Sequence, residues 1–174
     1  MSNVMPDQDD SFYDGVPLQQ FLTYRLARLH AKLNAQASRI LSDHAGITLG
    51  QWRVIALTGG KGEITLTEIH RATQMDKGQL SRTIKGMFDD ELITSRTSEH
   101  DQRQQILLLS QKGTDIYRHM LPIMRERQKM LMSCLAAEER RIIFSAIDKL
   151  EIAADRPVKP AADLPGQLLR KKAG

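Results

Sequence analysis

Near the start of the chain the apolar positions Leu18, Leu22, Leu26, Leu29, Leu33 and Ile40 recur at mostly three- and four-residue steps, the spacing of one helix face. They predict a long amphipathic helix from Leu18 to about His44, with Arg25, Arg28, Lys32 and Arg39 on its solvated side and Gly46 as its C-cap. Shorter periods follow. Thr48 stands three residues before Gln51, the capping-box spacing, ahead of Trp52, Ile55 and Ala56 on one face. The stretch TGGKG ends that helix. Thr65 stands three before Glu68, a second capping box, and predicts a helix with Leu66, Ile69 and Ala72 turned inward. After a turn near Thr73–Met75, Asp76 caps a third short helix on which Leu80, Ile84, Met87 and Phe88 share a face. Its other face carries Lys77, Gly78, Ser81, Arg82 and Lys85, with no carboxylate before Asp89.

The pattern then changes. Leu92 to Arg96 and Gln105 to Leu109 read as strands, and the polar segment between them is too long for a two-residue hairpin. Two short helices joined by a tight turn form a helix-turn-helix, and a β-hairpin directly after it makes the winged-helix arrangement. Ser110 caps a helix from about Gln111 to Met132, with Pro122 inside it and a bend expected near Leu121. A last helix begins in CLAAEERRIIF, with Ile143, Ile147 and Leu150 as its main stripe.

The fold class is therefore mainly α with a small β-wing. A flexible leader is expected over 1–15, an N-terminal dimerisation helix over 16–45 and a winged helix-turn-helix lobe over 46–110. C-terminal dimerisation helices follow over 111–155 and a basic tail over 156–174. The terminal helices carry more apolar surface than a lobe of ~70 residues covers, so a second copy of the chain is the expected partner, in a homodimer.

Composition narrows this picture. At 174 residues roughly 70% of the unfolded surface can be buried, so a core needs no staple. The single cysteine, Cys134, fits a reducing cytosol and is expected to be a small buried residue. The acidic start lacks a signal-peptide pattern, and no apolar run approaches the ~20 residues of a membrane span, which points to a cytoplasmic protein. The net charge of +4 owes much to the tail, where five bases face Asp163 alone. From Arg53 to Lys112 nine bases meet eight acids, so placement of charge rather than its sum must argue for nucleic acid.

An enzyme is not expected. His30, His44, His70, His100 and His119 are scattered, with no HxxxH or CxxC to hold a metal, and TGGKGE lacks the spacing of a phosphate loop. No cofactor is expected either.

The order of helices and the wing spacing together resemble the MarR family of bacterial transcription regulators, over about residues 18–155. The similarity is most specific from Leu66 to Gly113. Family members carry a wing of the form Arg, four residues, Asp-Arg-Arg, then a strand ending Leu-Thr-x-x-Gly. Here stand Arg96, Asp101-Gln102-Arg103 and LSQKG with Gly113, while Leu80, Ser81 and Arg82 match the recognition helix. Two positions depart from the pattern: Gln102 removes one wing cation, and Glu91 replaces the usual glycine at the end of the recognition helix.

The resemblance implies a homodimer on double-stranded DNA, acting as a repressor on a pseudo-palindromic operator, with nucleoid association when bound. Lys77, Gly78, Gln79, Ser81, Arg82 and Lys85 are the DNA-binding candidates on the helix, and His100 and Arg103 those on the wing, supported by Asp101 and Arg96. Family members often respond to small lipophilic or aromatic effectors. Tyr24, His30 and Trp52 are the candidates for such a cavity, although Trp52 at helical spacing fits core packing as well. The alternative is a winged-helix protein-interaction module without specific DNA binding, favoured by the nearly neutral lobe and Gln102.

Overall fold

The computed structural model describes residues 15–98 and 104–157. Its elements in order are α1 (Leu22–Ala45), α2 (Leu49–Lys61), β1 (Glu63–Thr65), α3 (Leu66–Thr73), α4 (Lys77–Asp89), β2 (Ile93–Thr97), β3 (Gln105–Leu109), α5 (Gln111–Ser133) and α6 (Ala137–Ala154). The long first helix begins later than its apolar spacing predicts. Leu18–Gln20 form a single 3-10 turn, and the extended backbone of Phe21 separates it from α1. Gly46, at φ 62°, closes α1.

The short helices start where their caps stand. Thr48 and Gln51 exchange both bonds of a capping box, Gln51 N donating to Thr48 Oγ1 at 3.2 Å and Thr48 N to Gln51 Oε1 at 2.8 Å. Thr65 and Glu68 do the same for α3. The Asp76 carboxylate accepts from Gln79 N at 2.8 Å and starts α4.

A strand that the sequence pattern did not reveal completes the sheet. β1 has only three residues, too few to show alternation, and pairs antiparallel with β3 from Glu63↔Leu108 to Thr65↔Ile106. β2 pairs on the other side of β3, from Ile93↔Leu109 to Thr97↔Gln105, so β3 is central.

The chain divides into two compact units, one up to Arg125 and one from Glu126. The core lies in the first, where Leu41, Val54, Ile55, Ile64, Ile69, Met87, Leu107 and Met120 are fully buried. Val54 and Thr58 of α2 belong to this core as well as Trp52 and Ile55; the Thr58 hydroxyl is satisfied by the Val54 carbonyl at 2.8 Å. Of the expected inward set on α3 only Ile69 is buried, while Leu66 and Ala72 are exposed. Eight residues give α3 little more than two turns, and Ile69 alone of its apolar side chains reaches the core. Gly59 has a steric role: a Cβ there would stand 2.7 Å from the Tyr117 ring, which stacks on Trp52 at 6.5 Å between centroids.

α5 continues as a helix through Pro122. In the second unit every residue of α6 is exposed, including Ile142, Ile143, Phe144, Ile147, Leu150 and Ile152. Cys134, expected to be buried, is also exposed. It sits in the short junction between two helices, where neither helix covers it. No helix among the described residues is long and apolar enough to cross a membrane.

Glu91 takes the left-handed conformation at φ 58° that the family pattern gives to glycine. The turn that results is complete: Glu91 N donates to Phe88 O at 3.0 Å and Leu92 N to Met87 O at 2.8 Å, the reach of a Schellman ending. An L side chain in that region costs about 1 kcal/mol. Glu91→Gly should therefore raise stability by about 1 kcal/mol, read as a higher urea midpoint with an unchanged slope.

Candidate nucleic-acid interface

The second helix of the helix-turn-helix is held from three sides. Leu80, Ile84 and Met87 turn into the core, Asp76 fixes its first turn, and the Schellman turn fixes its last. With that stripe buried, Lys77, Gly78, Gln79, Ser81, Arg82 and Lys85 are all left exposed. The structure thus places the six helix residues singled out from the sequence on the surface of one helix, α4. None of Lys77, Arg82 or Lys85 has a carboxylate partner among the described residues, whereas Lys61, Arg96, Arg118, Lys129 and Arg141 each have one. Free cations on a face are available to an outside anion.

Gln79 joins the Asp76 cap through its backbone N–H alone, so its side-chain amide is left for other contacts. Arg82 folds back toward the head of the helix, its Nη1 3.5 Å from the position a Cβ on Gly78 would take. A side chain at 78 would touch that guanidinium at ordinary contact distance and press on the Asp76 carboxylate, whose Oδ1 lies 3.3 Å from the same point.

Between α3 and α4 lies an open cavity of about 410 Å³, floored by Leu80 and Ile84 and rimmed by Leu66, Thr67, His70, Lys77 and Ser81. It explains why Leu66 is exposed: that side chain forms a rim rather than core. A second cavity of about 280 Å³ is bounded by Thr58, Leu108, Tyr117 and Arg118 among others. Neither is lined by Tyr24, His30 or Trp52. Trp52 is 7% exposed and packed on Tyr117, and Tyr24 and His30 are exposed on α1. The His30 ring Nε2 lies 3.1 Å from Asn34 Nδ2.

At the wing, Ser98 N donates to Gln104 O at 2.9 Å and continues the pairing past the end of β2. His100, Asp101 and Arg103 lie outside the described residues, as does Gln102. Arg96 does not point along the wing. Its Nη2 donates to Glu63 Oε2 at 2.7 Å, so the side chain crosses the central strand and ties β2 to β1. Glu63 could not be found as this partner from the sequence, because the strand that carries it was not visible there. Among the described residues no group of His, Cys, Asp or Glu side chains is placed to share a metal ion.

Comparison with known proteins follows the same geometry. Residues 45–104, from the last residue of α1 to the one before β3, match the model of the MarR family. This segment is a MarR-family winged-helix domain. The chain is 29% identical over 105 residues to the HTH-type transcriptional regulator BilQ of Clostridium symbiosum, covering 60% of this chain and 73% of that one. Its fold is that of a MarR/EmrR family transcriptional regulator from Acinetobacter sp. ADP1, with a TM-score of 0.74 at 23% identity over 80% of this chain and 99% of the other. The MepR–DNA complex of S. aureus is similar too, with a TM-score of 0.69 at 19% identity over 76% and 98% of the two chains.

The MarR-family domain depends on Glu68 for its first helix-turn-helix member. Its carboxylate accepts from Thr65 N at 2.9 Å and from Lys61 Nζ at 2.9 Å, and these bonds hold its pKa down at about 2. The folded state keeps the carboxylate ionised where the unfolded chain takes up a proton. The contribution is thus full above the ordinary carboxylate range and is lost as pH falls toward about 2. Thermal midpoints followed from neutrality into acid should fall less steeply for Glu68→Gln than for the wild type, from a lower starting value.

Proposed function

We propose that this protein is a DNA-binding transcription regulator that reads a duplex with α4 and works as a homodimer. The observation that carries this reading is the exposed face of α4, where Lys77, Arg82 and Lys85 have no carboxylate partner among the described residues and stand beside Gln79 and Ser81. Duplex DNA offers phosphates to the cations and base edges to the amide and guanidinium. Arg on guanine and Gln on adenine each discriminate by ~1–3 kcal/mol in bidentate geometry. Gly78 leaves room for close backbone approach, and Lys85, farther along the helix, suits phosphate. The S. aureus neighbour is a DNA complex, which supports the same use of the fold. The family consists of transcription regulators rather than enzymes.

In the finer reading a dimer sets two recognition helices on half-sites about one turn (~34 Å) apart in a pseudo-palindromic operator and represses by occupying a promoter. Arg103 and His100 on the wing meet the adjacent minor groove, with Asp101 orienting an arginine. The exposed apolar face of α6 in the second unit, and separately the exposed Leu22, Leu26 and Leu29 of α1 in the first, each suit contact with a second copy. A small lipophilic effector releases the complex. Such a regulator works in the cytoplasm, on the nucleoid.

One observation favours a second reading, a protein-interaction module: the near balance of charge from Arg53 to Lys112. Salt separates the two. Fluorescence anisotropy against the duplex upstream of its own gene, at two salt concentrations, should show binding that weakens with salt and exceeds binding to an unrelated duplex. Arg82→Ala/Arg103→Ala should lose it by tenfold or more, roughly the loss of one good base contact. Equal, salt-insensitive behaviour of both duplexes and of the variant would favour the interaction module. Sedimentation should give a dimer for the wild type and a shift toward monomer for Phe144→Glu/Ile147→Glu.

A further inference from the structure

The motif LSQKG, Leu109 to Gly113, matches the family pattern, but the function above gives it no part. It stands where α4 ends. The closing turn of α4 satisfies the carbonyls of Gly86, Met87 and Phe88, and beyond it the carbonyls of Asp90, Glu91 and Leu92 need donors. All three are taken by the head of α5. Lys112 Nζ donates to Asp90 O at 2.8 Å, the Ser110 hydroxyl to Glu91 O at 2.6 Å, and Ser110 N to Leu92 O at 3.1 Å. The same hydroxyl accepts from Gly113 N at 3.0 Å. One oxygen therefore caps the start of α5 and locks the end of α4.

Two further contacts narrow the freedom of that junction. Gln51 Nε2 donates to Asp90 Oδ2 at 3.0 Å, tying the start of α2 to the same turn. A Cβ on Gly113 would stand 2.1 Å from Leu92 O, so only glycine lets the two backbones approach this closely. The apolar stripe of α4 gives burial, which is non-directional and tolerates small rotations of a helix about its axis. The hydrogen bonds at Ser110 and Lys112 are directional and do not.

We propose that Ser110 and Lys112 are positioning residues for sequence reading, setting the angle at which α4 is presented to DNA. The proposal rests on the DNA-reading function above. Bidentate base contacts need an aligned helix, whereas attraction to phosphates depends mainly on the charges present. Loss of the junction therefore lowers selectivity and leaves non-specific affinity nearly unchanged.

The test uses the full chain and a duplex enriched by the wild type from a random pool, beside a scrambled duplex of equal length. Ser110→Ala is expected to lower the ratio of the two affinities roughly tenfold, the scale of one misaligned base contact, with scrambled-duplex affinity within about twofold of wild type. Lys112→Met should act in the same direction more weakly. Ser110→Thr, which keeps the hydroxyl and is the family's residue, should restore the ratio. Hydrogen exchange, which needs no DNA, should show faster exchange at Leu92 and Gly113 in Ser110→Ala while the middle of α4 stays protected. A Ser110→Ala protein that keeps the wild-type ratio overturns the proposal alone. Equal loss on both duplexes with a lowered thermal midpoint makes the residue merely structural and overturns it too. A wild type that enriches no duplex defeats the DNA-reading function itself, and the proposal with it.

Discussion

The burial of Leu80, Ile84 and Met87 is the interaction on which the rest of the lobe depends. Those side chains are 6%, 7% and 0% exposed and meet the core built from α1, α2, the sheet and α5. A helix that buries one stripe has no choice about the opposite one. Lys77, Ser81 and Arg82 face outward because their neighbours in the heptad face inward, and the geometry of 3.6 residues per turn converts a packing requirement into a presented surface. Burial supplies the free energy; periodicity supplies the display.

The turns around α4 are set by local chemistry of a different kind. Each short helix begins at a side-chain cap, and each cap satisfies amides that a helix of eight to thirteen residues cannot satisfy internally. Because these bonds are local in sequence, the starts of α2, α3 and α4 do not depend on distant contacts. The sheet then joins segments far apart in the chain. Arg96 reaching across β3 to Glu63 fixes the base of the wing to the strand that precedes the helix-turn-helix.

The second unit shows the reverse balance. α6 exposes six large apolar side chains and has an acidic first turn in Glu138 and Glu139, the latter accepting from Ala136 N at 2.7 Å. Local bonds start this helix well, but its apolar side is left bare in the single chain. A surface of that size is a cost in water, and in the proposed function a second copy of the chain removes it. The DNA-reading and dimer-forming parts of the proposed function thus rest on opposite signs of surface, one cationic and one apolar.

Periodicity and capping residues in the sequence determined the helix order, the starts of α2, α3 and α4, and the six exposed candidates on α4. All of these depend on neighbours within four positions. The tertiary structure alone decided what depends on partners far away. β1 exists because β3 pairs with it, Leu66 is a rim because α4 leaves a cavity beside it, and Trp52 is core because Gly59 admits the Tyr117 ring. Glu91 was legible as a departure, but only the folded chain shows that it adopts the left-handed turn and that Ser110 holds its carbonyl. A pattern of residues records what a segment can bury; which groups it meets is settled when distant segments close on one another.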